Sequence, residues 1–320
     1  MASHQKLLSL PANLRRLAFD RILTGSARRP PAPFLRHATP RPYATYNTNA
    51  SAADAGHSSV NQDEVSHFNI LAEDWWNPQG SSRLLHLMNP LRHDFIRKCL
   101  NSHYETQSFQ RGSMNFLDIG CGGGIFAESA ARLPTAKSVT AIDPTPACIH
   151  VAKDHQRHDP LLLQPDRLTF KNIAIEQLPL PTTPSEGYDI VSVFEVIEHI
   201  QSPSAFLDKV LPHLKPGGWL IGSTIARTKT SWFTTKFIAE DVLRMVPRGT
   251  HDWHQYIQPH ELREWARGRH ELDVGVGGRG WQTMGVVYVP ALGWKEVPGS
   301  EDWGNYFFGV RKLAEGEERW

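Results

Sequence analysis

The stretch that most constrains this chain is residues 115–124, where a short apolar segment runs into a cluster of glycines. Gly120, Gly122, Gly123 and Gly124 form the cluster, and the residues after them are typical of a helix. Because glycine has no Cβ, it adopts positive φ angles freely and lets a ligand approach the backbone. A strand, a glycine turn and a helix begin a nucleotide-binding βαβ unit, whose helix N-terminus offers free N–H groups to an anionic ligand.

A second apolar stretch, residues 138–142, is followed by Asp143, about 20 residues after the first glycine. At that spacing an acid follows the second strand of such units and accepts hydrogen bonds from ribose hydroxyls. Strands and helices alternate further along the chain, which predicts an α/β fold whose parallel sheet is covered by helices on both faces. The predicted strands are 167–173, 188–195 and 219–224, the predicted helices are 147–156 and 205–214, and the Lys-Pro-Gly-Gly sequence at 215–218 is a predicted turn.

The spacing of the glycines separates the candidate cofactors. A dinucleotide fingerprint, G-x-G-x-x-G, would need a glycine where Ile125 stands, and the sequence contains no G-x-x-x-x-G-K-[ST] phosphate loop. The observed G-x-G-G-G is common in proteins that bind S-adenosylmethionine. Together with Asp143, the acid that ends the fourth strand and the turn before the fifth, it indicates an S-adenosylmethionine site.

Composition limits the classes of partner. The 320 residues carry 34 Lys and Arg against 33 Asp and Glu, so the net charge of +1 gives no overall attraction to nucleic acid. The three cysteines, at positions 99, 121 and 148, have no metal-type spacing and fit a reducing compartment. No apolar run in the sequence reaches the roughly 18 residues of a transmembrane helix.

The N-terminal 45 residues are rich in arginine and contain one acid, Asp20. Their leucines recur at helical spacing, so the segment can form a basic amphipathic helix. Residues 1–45 are therefore interpreted as a mitochondrial transit peptide, with a disordered basic arm as the alternative. Residues 46–62 are rich in Asn, Ser and Ala and are interpreted as a linker.

Residues 63–110 are predicted to form a helical cap. Asn89 resembles a helix N-cap ahead of a proline, which would place Arg92 in the first turn. Arg92 is then either a surface residue or a guanidinium that grips a ligand carboxylate. Trp75 and Trp76 are either core anchors or a wall of the binding pocket.

Three polar residues follow the fourth predicted strand. If a helix begins there, Glu195, Glu198 and His199 lie on one of its faces, at the carboxyl ends of the strands where ligands bind. Two carboxylates and an imidazole form part of a metal shell, so one interpretation is a divalent cation that ionises a chelating substrate. The other is metal-free, with His199 as a general base or as a group that orients the substrate.

Residues 225–250 interrupt the alternation of strands and helices. Aromatic and aliphatic residues recur there at helical spacing beside five basic residues. This pattern is typical of an amphipathic helix at a membrane surface. A lid over the active site explains it equally well.

Several motifs resemble those of the ubiquinone-biosynthesis O-methyltransferases, in particular the mitochondrial form that acts on polyprenyl-dihydroxybenzoate. The resemblance is close over residues 63–258 and loose beyond them. The motifs are Asp-Trp-Trp at 74–76, Asn-Pro-Leu-Arg at 89–92, the glycine stretch at 117–125 with Ala-Glu-Ser at 127–129, Glu-Val-Ile-Glu-His at 195–199, Lys-Pro-Gly-Gly at 215–218, Lys-Thr-Ser-Trp at 229–232 and Leu-Arg-Met-Val-Pro-Arg-Gly-Thr-His-Asp at 243–252. The chain departs from the family at Leu87, where a basic residue is expected, and over the glycine-rich residues 276–290.

The resemblance implies a Rossmann-like class I methyltransferase domain over residues 111–313, with a mainly parallel seven-stranded sheet. The residues after it are charged, and 314–320 are predicted to be a frayed tail. It implies an S-adenosylmethionine site lined by Arg92, Gly120, Gly122, Asp143 and Phe194. It also implies a Mg²⁺ ion bound by Glu195, Glu198 and His199. Glu195 and His199 are the predicted catalytic residues.

The implied activity is S-adenosylmethionine-dependent O-methylation of a prenylated catechol, 3,4-dihydroxy-5-polyprenylbenzoate, and of demethylubiquinol in the same pathway. The protein would lie on the matrix face of the mitochondrial inner membrane, as a peripheral member of a multi-subunit complex that binds cardiolipin-type anionic lipid through residues 225–250. Two alternatives stay open: methylation of another small phenol, and a non-catalytic scaffold that binds S-adenosylmethionine. A dehydrogenase is the least supported class because of Ile125.

Replacing Trp232, Phe233 and Phe237 together by Asp is expected to abolish binding to cardiolipin vesicles, because it puts charge on the apolar face of the amphipathic segment. Flotation of the purified protein with such vesicles measures this binding. Unchanged flotation of the triple variant would contradict the membrane interpretation and favour the lid.

Overall fold

The computed structural model describes residues 58–103, 110–227, 256–275 and 279–319. All of these residues belong to one compact unit, Ala50–Trp320. The predicted transit peptide, all but the end of the predicted linker and most of the segment 225–250 lie outside the described residues. Among the described residues, no helix combines the length and the apolar composition that crossing a bilayer requires.

The described residues form eight strands and six α-helices. The strands are β1 (Met114–Ile119), β2 (Ala136–Ile142), β3 (Leu168–Lys171), β4 (Tyr188–Phe194), β5 (Leu214–Ile225), β6 (Trp281–Val289), β7 (Gly293–Glu296) and β8 (Asn305–Arg311). The helices are α1 (Gln62–Leu71), α2 (Arg83–His103), α3 (Ile125–Ala131), α4 (Pro146–Gln156), α5 (Pro203–Val210) and α6 (Pro259–Arg267). Short 3-10 turns lie at Ala72–Asp74, Ile175–Gln177, Pro184–Glu186, Ile197–His199 and Leu211–His213.

The strands form one sheet in the order β3-β2-β1-β4-β5-β8-β6-β7. Strands β1 to β5 run parallel to their neighbours within that group, and β8 lies antiparallel between β5 and β6. Because the strand order reverses between β1 and β4, a crevice opens at their carboxyl ends, where doubly wound sheets bind ligands. The predicted Rossmann-like α/β fold is confirmed.

The sheet has one strand more than the seven that the resemblance implies. The extra strand, β7, folds back on β6 through a loop at residues 290–292, where Ala291 and Gly293 adopt left-handed φ angles of 68° and 75°. Trp294 on β7 donates a hydrogen bond from Nε1 to the carbonyl oxygen of Leu84 at 3.0 Å. This bond ties the hairpin to α2, which stabilises the strand at the open edge of the sheet.

Side chains alternate between the two faces of the sheet, as the pleat requires. Phe116 and Phe307 enter a core on the face covered by α2, α3 and α4, whereas Leu117 and Phe308 enter the core covered by α5 and α6. On α2, Phe95 lies against Phe307 with ring centroids 5.4 Å apart. Part of the predicted helical cap is therefore a layer of the fold itself, since α2 packs directly on the sheet.

The predicted start of the second helix is wrong. Helix α2 begins at Arg83, and Pro90 lies inside it. Instead of capping the helix, Asn89 donates a hydrogen bond from Nδ2 to Ser129 Oγ on α3 at 2.9 Å. Buried residues on both sides of the proline join one core cluster, and this packing keeps the helix continuous despite the missing N–H. Arg92 consequently projects from the middle of a long helix.

The predicted Lys-Pro-Gly-Gly turn lies inside β5 as a bulge. Tyr188 pairs with Leu214 and Ile190 pairs with Trp219, so residues 215–218 loop out of the ladder. The chain does turn at these glycines, as predicted, but β5 continues on both sides of the turn.

The C-terminal residues contact the domain, whereas their charged sequence predicts a frayed tail. Glu317 accepts two hydrogen bonds from the buried guanidinium of Arg311, at 2.6 and 3.2 Å, and a third from the Ala314 N–H at 2.9 Å. Arg319 donates to the carbonyl oxygen of Arg267 at 2.6 Å. A buried guanidinium is stable only when paired, and this requirement holds the segment in place.

Replacing Glu317 by Ala is expected to lower the free energy of unfolding by about 1–2 kcal/mol, because buried Arg311 loses a carboxylate that is itself partly exposed. Calorimetry should record a melting temperature a few degrees lower. The control is Glu315→Ala, which removes an exposed acid from the same segment and should leave the melting temperature unchanged. Equal melting temperatures for the two variants would contradict an anchored tail.

Candidate active site

A cavity of about 570 Å³ lies at the carboxyl ends of β1 and β4 and is bordered by α1 and α2. It brings together every residue that the sequence assigned to a site: Arg92, Gly120, Gly122, Asp143, Phe194, Glu195, Glu198 and His199. The predicted cofactor residues and the predicted acid–base residues therefore face the same space.

The glycine turn has the expected backbone conformation. Gly120 and Gly122 have left-handed φ angles of 68° and 51°. The indole of Trp75 lies against Gly122 so closely that a Cβ there would overlap the ring. Glycine is therefore required both by the backbone angle and by the approach of the indole. Trp75 is buried and also lines the cavity, so it is both a core anchor and a pocket wall.

The second tryptophan supports the same turn. Trp76 donates a hydrogen bond from Nε1 to the carbonyl oxygen of Gly123 at 2.9 Å. Its indole stacks on the imidazole of His155, with ring centroids 3.4 Å apart. The buried carboxylate of Glu128 binds Nδ1 of His155 at 2.8 Å. Trp76 is therefore a structural anchor, as one of the two interpretations of the tryptophan pair predicts.

Asp143 follows β2 and holds two neighbouring segments together. Its Oδ2 accepts the N–H of Gly122 at 2.9 Å, and its Oδ1 accepts the N–H of Thr145, just before α4, at 2.8 Å. Burial raises the pKa of the Asp143 carboxyl, and the two backbone hydrogen bonds lower it only in part. Each carboxylate oxygen has a second lone pair, so the group can also accept hydrogen bonds from a ligand.

Arg92 lies in the cavity, so its interpretation as a surface residue is wrong. The side chain is buried, and its Cζ stands 4.9 Å from the centroid of the Phe194 ring. Burial lowers the pKa of the guanidinium, while the charges of Glu195 and Asp118 oppose that shift. Its Nε finds no hydrogen-bond acceptor within the described part of the chain. A buried guanidinium with a spare donor suits a ligand carboxylate.

Asp118 is a site residue that sequence reasoning missed. It lies near the end of β1 and lines the cavity, and its Oδ1 accepts a hydrogen bond from Ser192 Oγ at 2.7 Å. Burial raises the pKa of Asp118 to about 7, although the Ser192 hydrogen bond and the charge of Arg92 oppose this shift. The sequence does contain a signal for this residue, because an acid stands near the carboxyl end of the first strand, just before the glycine turn.

The segment after β4 does not form the helix that was expected from Glu195 onward. Glu195 adopts a left-handed φ of 55°, which is uncommon for a residue with a side chain, and a 3-10 turn follows at Ile197–His199. The left-handed residue changes the direction of the chain, so the expected spacing on one helical face is lost. Glu195 Oε2 accepts a hydrogen bond from Asn305 Nδ2 on β8 at 3.4 Å.

Glu198 is buried at the inner end of this segment. Its Oε2 accepts a hydrogen bond from Thr224 Oγ1 on β5 at 3.0 Å. Burial and the negative charge of Glu195 raise the pKa of Glu198 to about 8, against the opposing effect of His199. Glu198 therefore holds its proton more tightly than an exposed carboxyl does.

His199 is held by a residue that the sequence did not indicate. Its Nδ1 lies 3.0 Å from Oε2 of Glu64 on α1, and its ring contacts Phe68 edge-on with centroids 5.3 Å apart. Burial lowers the pKa of His199, but the hydrogen bond to Glu64 and the negative charges around it raise the pKa above its usual value. Glu64 carries no local sequence signal, because α1 lies far from His199 in the chain.

The three predicted metal ligands do not form a metal site in this arrangement. Across the described residues, no three His, Cys, Asp or Glu side chains are grouped so that they could hold an ion. Glu198 Oε2 is bonded to Thr224, and His199 Nδ1 to Glu64. Glu195 retains a buried oxygen, Oε1, that has no hydrogen-bond partner in the described residues. The Mg²⁺ ion therefore stays a prediction.

Comparison with known proteins identifies the family. A family model described as a methyltransferase domain matches residues 91–269. The mitochondrial ubiquinone biosynthesis O-methyltransferase of Candida albicans is 39% identical over 297 residues, which cover 81% of this chain and 87% of that protein. The protein of the same name from Schizosaccharomyces pombe is 40% identical over 259 residues, 79% of this chain and 87% of that protein. This chain belongs to the ubiquinone biosynthesis O-methyltransferase family.

The family also includes bacterial proteins. The ubiquinone biosynthesis O-methyltransferase of Alkalilimnicola ehrlichii is 36% identical over 216 residues, 68% of this chain and 81% of that protein. The methyltransferase-domain model spans the cofactor residues and the segment after β4. Glu64 and Asn305, which bind that segment from both sides, lie outside the matched residues.

In this methyltransferase, Asp143→Ala is expected to weaken the binding of S-adenosylmethionine at least about 100-fold. The change removes two charge-assisted hydrogen bonds to the ribose hydroxyls, each of about 1.5–3 kcal/mol. Titration calorimetry measures the affinity, and circular dichroism checks that the variant is folded. Asp154→Ala, which removes a partly exposed acid from α4, is the control. Undiminished affinity in Asp143→Ala would refute the assignment.

Proposed function

We propose that this protein transfers the methyl group of S-adenosylmethionine to a phenolic oxygen of a polyprenylated catechol in mitochondrial ubiquinone biosynthesis. The acceptors are 3,4-dihydroxy-5-polyprenylbenzoate and demethylubiquinol. The observation that carries the proposal is that one cavity joins the glycine turn and Asp143 to Glu195 and His199. Membership of the family supports the reaction class.

The reaction needs a phenolate. A phenol with a pKa near 10 is only about 0.1% ionised at pH 7, which corresponds to about 4 kcal/mol. Placing the phenolic oxygen in line with the methyl carbon lowers the activation barrier by about 7–11 kcal/mol. A general base within the site contributes about 10²–10⁴-fold more in rate.

His199 is the proposed base. The imidazole takes the phenolic proton, the oxygen forms a bond to the methyl carbon, and the carbon–sulfur bond breaks. The positive sulfonium becomes a neutral thioether, and the proton remains on His199. The nearby carboxylates of Glu64 and Glu195 stabilise the imidazolium that forms.

Glu195 is proposed to orient the catechol. Its Oε1 is buried, has no partner among the described residues and belongs to a side chain that lines the cavity. An unpaired buried acceptor costs free energy that a substrate hydroxyl recovers. A catechol has two adjacent hydroxyls, so one can donate to Glu195 while the other gives its proton to His199. The left-handed backbone of Glu195 fits this role, since strained residues often lie at functional sites.

The prenyl tail is proposed to leave through the side of the cavity formed by β6, β7 and the residues before β8. Val286, Tyr288, Trp294 and Trp303 line this side. Trp303 keeps 53% of its surface exposed although it lines the cavity. A large exposed aromatic side chain at a cavity suits an apolar chain that runs from the site to the outside.

The proposed location is the matrix face of the mitochondrial inner membrane. The names of the mitochondrial relatives and the basic N-terminal segment support the compartment. The aromatic and basic residues of 225–250 support contact with cardiolipin-type lipid, where a prenylated substrate dissolves. Association with a multi-subunit biosynthetic complex belongs to the same proposal.

Purified protein with labelled S-adenosylmethionine and a prenylated catechol is expected to form the O-methyl product, and His199→Gln should reduce kcat by about 10²–10⁴-fold. His260→Gln, on α6 outside the cavity, is the control. Activity should survive exhaustive EDTA treatment, because a histidine that acts as the base needs no metal ion.

Other outcomes of this assay select the alternatives. Equal turnover of a soluble catechol would favour a methyltransferase for another phenol. Full activity of His199→Gln would contradict the base, and loss of activity with EDTA that Mg²⁺ restores would support the metal. A protein that binds S-adenosylmethionine but methylates no catechol would be a scaffold.

A further inference from the structure

We infer that Glu64 is a positioning residue that fixes the tautomer and the orientation of His199, so that α1 is part of the active site. The inference rests on the proposed role of His199 and adds a residue that lies before the methyltransferase-domain match at residues 91–269.

The tautomer follows from the hydrogen bond. Glu64 Oε2 and His199 Nδ1 are 3.0 Å apart. An ionised carboxylate only accepts hydrogen bonds, so Nδ1 must carry the proton. In a neutral imidazole with a proton on Nδ1, the lone pair lies on Nε2. The ring lines the cavity, and Nε2 is therefore the atom that receives a substrate proton.

The orientation follows from a second contact on the same helix. Phe68 lies one helical turn after Glu64, so both side chains project from one face of α1. Its ring meets the imidazole edge-on, at an interplanar angle of 82°. The backbone N–H of His199 also donates to the carbonyl oxygen of Val196 at 3.0 Å. The imidazole is held by a hydrogen bond, a ring contact and its own backbone.

Helix α1 is itself fixed to the domain. The side chain of Asn61 accepts the N–H of Asp63 and caps the N-terminus of α1, and just before it the Ser59 N–H donates to Glu176 Oε1 at 2.9 Å. Near its C-terminal end, Asn69 Oδ1 accepts the N–H of Ala147 on α4 at 3.2 Å. A carboxylate on a helix fixed at both ends holds its partner better than one on a free chain, because less conformational entropy remains to be lost.

The groups that face His199 come from three segments. Glu64 approaches from α1, Glu195 from the end of β4, and Glu198 from the 3-10 turn that carries His199 itself. Among these three acids, Glu64 is the one whose hydrogen bond to the imidazole the structure records. Its loss therefore changes the tautomer, whereas the other two act on the ring through their charge.

The test compares Glu64→Gln and Glu64→Leu with Asp63→Asn in the full-length chain. Asp63 is the neighbouring acid in the first turn of α1 and is exposed, so its variant matches the loss of charge at the helix N-terminus. Kinetics with a prenylated catechol are expected to show kcat reduced about tenfold or more in Glu64→Leu, in line with the loss of a group that orients a catalytic histidine. The KM for S-adenosylmethionine should change less than about twofold, since the cofactor contacts are intact.

Glutamine separates shape from charge. In Glu64→Gln the amide oxygen can still accept the Nδ1 proton, but the amide N–H₂ can also donate and favour the other tautomer. Its kcat is therefore expected to lie between those of the wild type and Glu64→Leu. A role for Glu64 in folding alone would lower the yield or the melting temperature without this order in kcat.

A direct readout is the ¹⁵N NMR spectrum of protein labelled at histidine, recorded at a pH above the raised pKa of His199 so that the imidazole is neutral, with the His199 signals assigned by their loss in His199→Gln. The wild type and Asp63→Asn should show the proton on Nδ1, and Glu64→Leu should show a mixture of tautomers. An unchanged tautomer together with an unchanged kcat in Glu64→Leu would overturn the inference while leaving the proposed function intact. Full activity of His199→Gln would instead remove the proposed base itself.

Discussion

One buried carboxylate holds the centre of this methyltransferase together. Asp143 accepts the N–H of Gly122 and the N–H of Thr145, and so connects the turn after β1 with the start of α4. A turn with several left-handed glycines is entropically costly to order, because glycine loses more freedom on folding than any other residue. The Asp143 hydrogen bonds and the indole of Trp75 offset that cost. The floor of the cavity is therefore formed before a cofactor arrives, which lowers the cost of binding.

The walls of the cavity carry buried ionisable groups whose charged forms are incompletely stabilised within the described residues. Burial raises the pKa values of Asp118 and Glu198 to about 7 and about 8, while Arg92 leaves one guanidinium donor without an acceptor. Such groups are unfavourable in an empty cavity and favourable when a ligand supplies the opposite charge. The proposed cofactor carries a cationic sulfonium and amino group as well as a carboxylate. An acidic cavity with one buried arginine is complementary to that combination of charges.

The sequence predicts the parts of this site that depend on local patterns. The glycine turn and Asp143 occupy the expected positions because each is defined by its place at the end of a strand. The start of α2 was missed, since packing on both sides of Pro90 keeps the helix continuous. Contacts between distant segments have no local signature, which is why the bond between Glu64 and His199 could not be predicted. The helical face expected to carry Glu195, Glu198 and His199 is not formed, because the left-handed φ of Glu195 directs the chain elsewhere.

The position of α1 makes its contact with His199 depend on the sheet that lies between them in the chain. Glu64 precedes the whole parallel sheet in the chain, while His199 follows β4. Their contact closes a very long loop, and such contacts form late because the loop entropy must be lost before they contribute. A chain whose sheet is incomplete therefore cannot hold Glu64 against His199. The contact depends on the fold as a whole rather than on either segment.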